Sequence, residues 1–211
     1  MKSQLFIVGL GGSLAEPSNS LAALGIALEG AREAGAEIQL FDIRKLALPM
    51  YDPSRQDPPD AVRTLCDAVH RADGLILSSP MYHGTISGSF KNALDWLQLL
   101  ADSKPPYLTD KAVGLISTAG GVQGLQAVIT MEFVVRSLRG WAVPLVLPIP
   151  QAWRAFDEES RPRDERLMQQ LRAVGKEVVR ASCQFALEPP RQEDVTAAET
   201  VVMPLGAQES R

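Results

Sequence analysis

The chain has 211 residues, 45% hydrophobic and 22% charged, with a formal net charge of −4 at pH 7. That length suits one large α/β domain or two small ones and is enough to hide roughly 70% of the unfolded chain's surface. The mild acidic balance excludes the basic face of a nucleic-acid binder, and two isolated cysteines, Cys66 and Cys183, exclude a disulfide framework or a cysteine metal site and read as reduced thiols.

The apolar run LFIVGL, 5–10, stops at Gly11 and Gly12. It is too short for a signal-peptide core, and no stretch approaches a membrane span, so a cytoplasmic protein without membrane insertion is expected. A continuous apolar run of this length predicts a strand buried on both faces. Helix is predicted for 20–34, ending at Gly35, and strand for 38–41. A proline pair opens a helix over 58–71, with Val62, Leu65, Cys66 and Val69 at spacings of three and four. Strands follow at 74–78, 112–117 and 142–149, and helices at 89–101, 125–138 and 164–183.

Five strands alternating with five helices predict a parallel sheet covered by helices on both faces, a three-layer α/β sandwich. The count favours the five-stranded flavodoxin type, order 2-1-3-4-5, over the six-stranded dinucleotide type. This domain is assigned to 1–187. Residues 188–211 carry prolines, charges and alanines without a sustained period and read as a flexible tail; the short run 201–203 alternatively docks on a neighbouring subunit.

In such sheets ligands lie beyond the carboxyl ends of the strands. The first such loop, GGSLAEPSNS (11–20), offers backbone N–H groups, hydroxyls and a helix N-terminus, which suit a phosphate; it is neither GxGxxG nor a Walker loop. The competing reading is a plain turn capped by Ser18 or Asn19. The third-strand loop, 78–96, brings Pro80, the flat side chains of Tyr82 and His83, and Gly84, which lets a planar ligand approach the backbone. Its Asn92 and Asp95 also read as helix residues that tie down the preceding loop. The fourth-strand loop, STAGGVQG (117–124), has three glycines, which a ligand or a special turn requires.

The segment from Ser79 to Trp96, SPMYHGTISGSFKNALDW, resembles the signature of the NADPH-dependent FMN reductases, P-x-Y-x-x-x-x-x-G-x-(L/F)-K-N-A-(L/I)-D. That flavodoxin-like family includes quinone, chromate and azo-dye reductases. The similarity extends to DIRKLALPMYDP (42–53) and to 117–121, and covers roughly 4–150. By this resemblance Ser13, Ser18, Asn19 and Ser20 hold the FMN phosphate. Pro80, Met81, Tyr82, His83 and Gly84 line the isoalloxazine ring. Ser117, Thr118, Gly120 and Gly121 meet its pyrimidine edge, where N–H groups stabilise the reduced flavin.

The implied activity is hydride transfer from NADPH (or NADH) through flavin N5 to a small acceptor: a quinone, flavin, azo or nitro compound, or metal oxyanion. No nucleophilic triad or metal is needed. His83 is the candidate catalytic proton donor. Arg55, Arg154 and Arg161 are candidates for a 2′-phosphate. One departure stands out: the family often has arginine two residues after the first loop's Gly-Ser, and this chain has Ala15. That gives weight to a module that has lost its flavin; a flavodoxin-type electron carrier without its own reductase activity is a second alternative, against which the modest net charge of −4 speaks.

Trp96, Leu97, Leu99, Leu100, Met131, Phe133 and Val134 are more apolar surface than one core face needs. They are either internal core or, as the resemblance implies, part of a homodimer or homotetramer with the flavin near the seam. Trp153 and Phe156 are candidates to cover a neighbour's flavin.

Overall fold

A computed structural model describes residues 4–55 and 57–186. The expected tail, the 201–203 run and the boundary at 187 lie outside the described residues. The elements are β1 (Phe6–Gly11), α1 (Asn19–Glu33), β2 (Glu37–Asp42), α2 (Ile43–Leu46), α3 (Asp60–Arg71), β3 (Gly74–Tyr82), β4 (Thr85–Ile86), α4 (Gly88–Asp95), β5 (Ala112–Ala119), α5 (Leu125–Ser137), β6 (Trp141–Ile149), α6 (Ala152–Ala155) and α7 (Glu165–Phe185). The parallel strands run in the order β2-β1-β3-β5-β6, and β4 pairs antiparallel with β3. This is the doubly wound order expected from the apolar runs.

β1 and β5 are buried along their whole length because helices cover both faces of the sheet. On one side α1 and α7 pack over Ile7, Ile76 and Ile116. On the other, α3, α4 and α5 cover Val8, Leu75, Leu77 and Leu115. β6 is an edge strand, which accommodates Pro144, and its register against β5 shifts between Val113 and Leu115.

Three local differences from the sequence reading matter for the site. β3 runs on to Tyr82, past the expected end at 78, and turns back through β4. β1 pairs with β3 only as far as Ser78, so Pro80 sits where one neighbouring strand has ended. The helix expected over 89–101 ends at Asp95 and tightens into a 3₁₀ turn, Trp96–Leu100. Of the residues considered for an interface, Trp96, Leu97, Leu100 and Met131 belong to the core, whereas Leu99 and Phe133 are exposed. Phe156 is also core, buried with Leu171 and Val174 of α7, so it cannot cover a neighbour's ligand.

Candidate functional site

The carboxyl ends of β1, β3 and β5 converge on one end of the sheet. After β1 the chain turns at Gly12, with φ of +99°, and enters α1 through Ser18. Ser18 caps the helix by accepting from the Leu21 N–H at 3.3 Å. Its hydroxyl also lies 3.2 Å from Ser13 Oγ and 3.1 Å from Ser20 Oγ. Three hydroxyls therefore cluster at the positive end of a fifteen-residue helix. Asn19 Oδ1 accepts from Ser160 Oγ at 2.8 Å, which ties the loop before α7 to the start of α1.

β3 and β4 form a two-residue hairpin, with Tyr82 opposite Thr85 and a left-handed tip at His83 (φ 49°) and Gly84 (φ 84°). A Cβ at Gly84 would meet nothing within 4 Å, so the glycine serves the turn. Ser79 braces the hairpin by accepting from the Ser87 N–H at 3.1 Å. In the third loop, Ser117 is buried and donates to the Gly124 carbonyl at 2.5 Å, closing the glycine-rich segment on itself. That segment is also held from α6: Trp153 Nε1 donates to the Gly120 carbonyl at 3.1 Å, and the Gln151 N–H donates to the Gly121 carbonyl at 2.8 Å.

These loops enclose a groove of about 250 Å³. Ser13, Ser18, Asn19, Ser20, Pro80, Met81, Tyr82, Thr118 and Gly120 line it. His83, Gly84, Ser117 and Gly121 adjoin the groove in sequence but do not line it. Sequence reasoning missed Ala119, Ala152 and the groove face of Trp153. The partner of the Trp153 indole is 33 residues away in the chain, beyond any local pattern.

A larger cavity, about 630 Å³, shares the wall formed by Ser13, Ala15, Pro17 and Ser18 and reaches Asp42, Arg44 and Lys45. Arg44 crosses to the first loop and pairs with Glu16. Of the other arginines considered, Arg161 is engaged by Asp157 and Glu159, and its backbone and side-chain hydrogen bonds hold the Asp157 carboxyl below the usual carboxylate range. Arg154 lies over the Trp153 ring, 4.6 Å from its centroid, and Arg55 Nε bonds the Asp57 carbonyl at 3.0 Å. Among the described residues no group of three or more His, Cys, Asp or Glu side chains could hold a metal ion.

Asn92 and Trp96 reach neither cavity wall named above. The Asn92 amide accepts from the Tyr51 N–H and donates to the Pro49 carbonyl, and the Trp96 indole donates to the same carbonyl at 2.9 Å. They tie down a loop, but it is the one after α2 rather than the one preceding their own helix.

A family model of NADPH-dependent FMN reductases matches residues 5–154. The FMN-dependent NADPH-azoreductase of Staphylococcus aureus (strain USA300) is 36% identical over 113 residues, which is 51% of this chain and 57% of that protein. The chain thus spans little more than half the length of the curated relative it matches. In solved structures the fold recurs in RosB with its bound intermediate OHC-RP (TM-score 0.70, 15% identity, 98% of this chain and 91% of that one). It recurs in FerB, a flavoenzyme NAD(P)H:(acceptor) oxidoreductase from Paracoccus denitrificans (0.65, 19%, 86% and 98%). It is also found in a flavodoxin from the domain Archaea (0.59, 10%, 85% and 99%).

Proposed function

The chain belongs to the NADPH-dependent FMN reductase family, and from that membership we propose that it binds FMN and uses reduced nicotinamide to reduce a small acceptor. The observation that carries this reading is the cluster of Ser13, Ser18 and Ser20 hydroxyls at the N-terminus of α1, opening on a groove walled by Tyr82 and Gly120. Neutral hydroxyl donors at a helix N-terminus fit a phosphate. A flat tyrosine and a side-chain-free glycine lining one groove fit a planar ring.

When bound, FMN supplies the two-electron relay between nicotinamide and acceptor. The chain's own residues position and stabilise. Ser13, Ser18, Asn19 and Ser20 orient the phosphate, and Pro80, Met81 and Tyr82 carry one wall of the ring site. N–H groups along 118–121 face the polar ring edge, where negative charge develops on reduction. The Ser117, Gln151 and Trp153 hydrogen bonds hold that loop in place beforehand. His83, exposed at the hairpin tip, delivers a proton to the reduced acceptor at the groove mouth. Gly84 shapes the tip, and Ser117 and Gly121 act through the loop they brace.

The same proposal includes self-association. Leu125, Ile129 and Phe133 recur every four residues along α5 and are 50%, 44% and 73% exposed. Thr85 Oγ1 and Thr130 Oγ1 lie 3.2 Å apart, so the stripe runs beside the hairpin that walls the groove. A homodimer through α5 sets its seam next to the flavin; a homotetramer pairs two such dimers. Cytoplasmic location completes the reading, supported by two unpaired thiols, Cys66 and Cys183. Among the described residues no helix is long and apolar enough to cross a membrane.

The test is an absorption spectrum of the purified protein with FMN, followed by anaerobic mixing with NADPH and with NADH. Flavin bleaching within seconds and re-oxidation by a quinone support the enzyme. Bound flavin that bleaches only when a separate reductase is added identifies an electron carrier. Protein that stays colourless after incubation with FMN refutes both.

A further inference from the structure

The first loop offers a phosphate only neutral donors, because position 15 is alanine. A phosphate monoester carries close to two negative charges at neutral pH, and charge-assisted contacts to it are roughly twice as strong as neutral ones. A cation reaches this loop from a different element. Arg44 sits in α2, beyond the neighbouring strand β2, and its start is fixed because Asp42 Oδ1 accepts from the Arg44 N–H at 2.9 Å. From there its guanidinium reaches back to Glu16, the residue next to Ala15. Arg44 and Ala15 line one cavity together with Ser13 and Ser18.

We propose that Arg44 supplies the cationic contact to the FMN 5′-phosphate that position 15 lacks, with Glu16 holding its guanidinium beside the loop until the phosphate arrives. This rests on the FMN binding proposed above. The Arg44–Glu16 pair is suited to such an exchange: the side chains are 45% and 71% exposed, and ion pairs that open to water are weakly held. A dianion with three acceptor oxygens outcompetes one solvated carboxylate for a guanidinium fork. Lys45 lines the same cavity as a second cation, beside the carboxylates of Glu16, Asp42 and Glu159. The alternative source of a phosphate here is the 2′-phosphate of NADPH, and the experiment separates the two.

Flavin-stripped wild type, Arg44→Gln and Glu16→Gln are each titrated with FMN and with riboflavin by quenching of flavin fluorescence. Riboflavin lacks the phosphate, so it reports ring binding and the integrity of the fold. Arg44→Gln is expected to weaken FMN by about tenfold while riboflavin affinity holds, and Arg44→Lys to recover part of the loss. Glu16→Gln is expected to tighten FMN by about two- to fivefold. An unchanged FMN-to-riboflavin affinity ratio in Arg44→Gln overturns the inference. So does an equal loss of both flavins, which marks a structural role. A raised NADPH KM with unchanged NADH KM and unchanged flavin ratio assigns Arg44 to the coenzyme instead and also overturns it. Wild type that binds neither flavin refutes the FMN reading itself, and this inference with it.

Discussion

Asn92 holds the backbone of Tyr51 across 41 residues of sequence: its Oδ1 accepts from the Tyr51 N–H at 2.8 Å. Its Nδ2 donates to the Pro49 carbonyl at 2.9 Å, and Trp96 Nε1 donates to the same oxygen. Tyr51 then packs edge-on against the Trp96 ring, centroids 5.2 Å apart. The most conspicuous stretch of the sequence motif therefore anchors a loop, and the groove is lined instead by the end of β3 that precedes it, Pro80 to Tyr82.

Asn92→Leu, which keeps the volume, leaves the Tyr51 N–H and the Asn92-side share of the Pro49 carbonyl unpaired. A loss of about 1–3 kcal/mol is expected in urea unfolding. Asn92→Asp keeps the acceptor and should fall between wild type and leucine. Equal stability of leucine and wild type contradicts the anchoring role.

The parallel sheet was legible because its strands are continuous apolar runs, and strands buried on both faces are written that way. The hairpin was harder to see. His83 and Gly84 form a two-residue left-handed turn, but β4 spans only Thr85–Ile86, too short to show alternation. The resemblance to the FMN reductases, rather than composition, pointed to Ser18 and Ser20 as phosphate candidates and to Tyr82 as a wall. The sequence could not tell that the Ser117 hydroxyl turns back on Gly124, nor that Trp96 points inward, because both depend on partners set by the tertiary fold. The same holds for Arg44, a surface cation by sequence that the sheet order places beside Ala15.

Glycine-to-alanine changes in the α1–α7 layer are expected to act in opposite directions. A Cβ at Gly175 would lie 1.9 Å from the Ala27 carbonyl oxygen, and one at Gly30 would lie 2.2 Å from the Arg172 carbonyl oxygen. Both helices must move apart to admit it, so each alanine should destabilise by about 2 kcal/mol or more despite its better helix propensity. Gly25, also in α1, has nothing within 4 Å of its would-be Cβ. There alanine should stabilise by about 0.5–1 kcal/mol. Thermal unfolding of the three variants reads the signs, and a stabilising Gly175→Ala is incompatible with this close approach.

Burial pushes the Cys66 thiol up to about 12 from 9.0, with the Asp67 charge adding to the effect. The folded state thus keeps its proton where the unfolded state loses it. The contribution is fully present below pH 9.0 and declines between 9.0 and about 12, by up to about 1.4 kcal/mol per pH unit. Cys66→Ala should flatten that decline relative to wild type, compared as urea midpoints at neutral and alkaline pH. At mild alkaline pH a thiol reagent should label exposed Cys183 in the folded protein and reach Cys66 only on unfolding. Parallel alkaline slopes for wild type and Cys66→Ala would show the thiol is not responsible.

The α5 stripe yields a prediction about assembly. Phe133→Asp puts a charge at the most exposed end of the apolar row Leu125, Ile129, Phe133. If that row is a subunit seam, light scattering should show the mass halving while the far-ultraviolet spectrum stays that of wild type. Because Phe133 is 73% exposed in the single chain, the monomer's own stability should change by less than about 0.5 kcal/mol. An unchanged mass places the seam elsewhere.

His83 offers the most direct test of proton delivery, and its backbone dictates the substitution. At φ 49° a non-glycine residue is strained unless it is of the Asn or Asp kind, so His83→Asn removes the imidazole and keeps the turn. Two acceptors then separate proton delivery from electron delivery. A quinone needs protons as it is reduced, whereas ferricyanide takes electrons alone. Quinone turnover should fall by about tenfold or more. Ferricyanide turnover should hold, because the ring wall proposed above, Pro80, Met81 and Tyr82, stays in register with β4 and β5 on this substitution. A parallel loss with both acceptors would trace the effect to the hairpin's shape. Unchanged quinone turnover would leave the solvent as proton source and remove His83 from the chemistry.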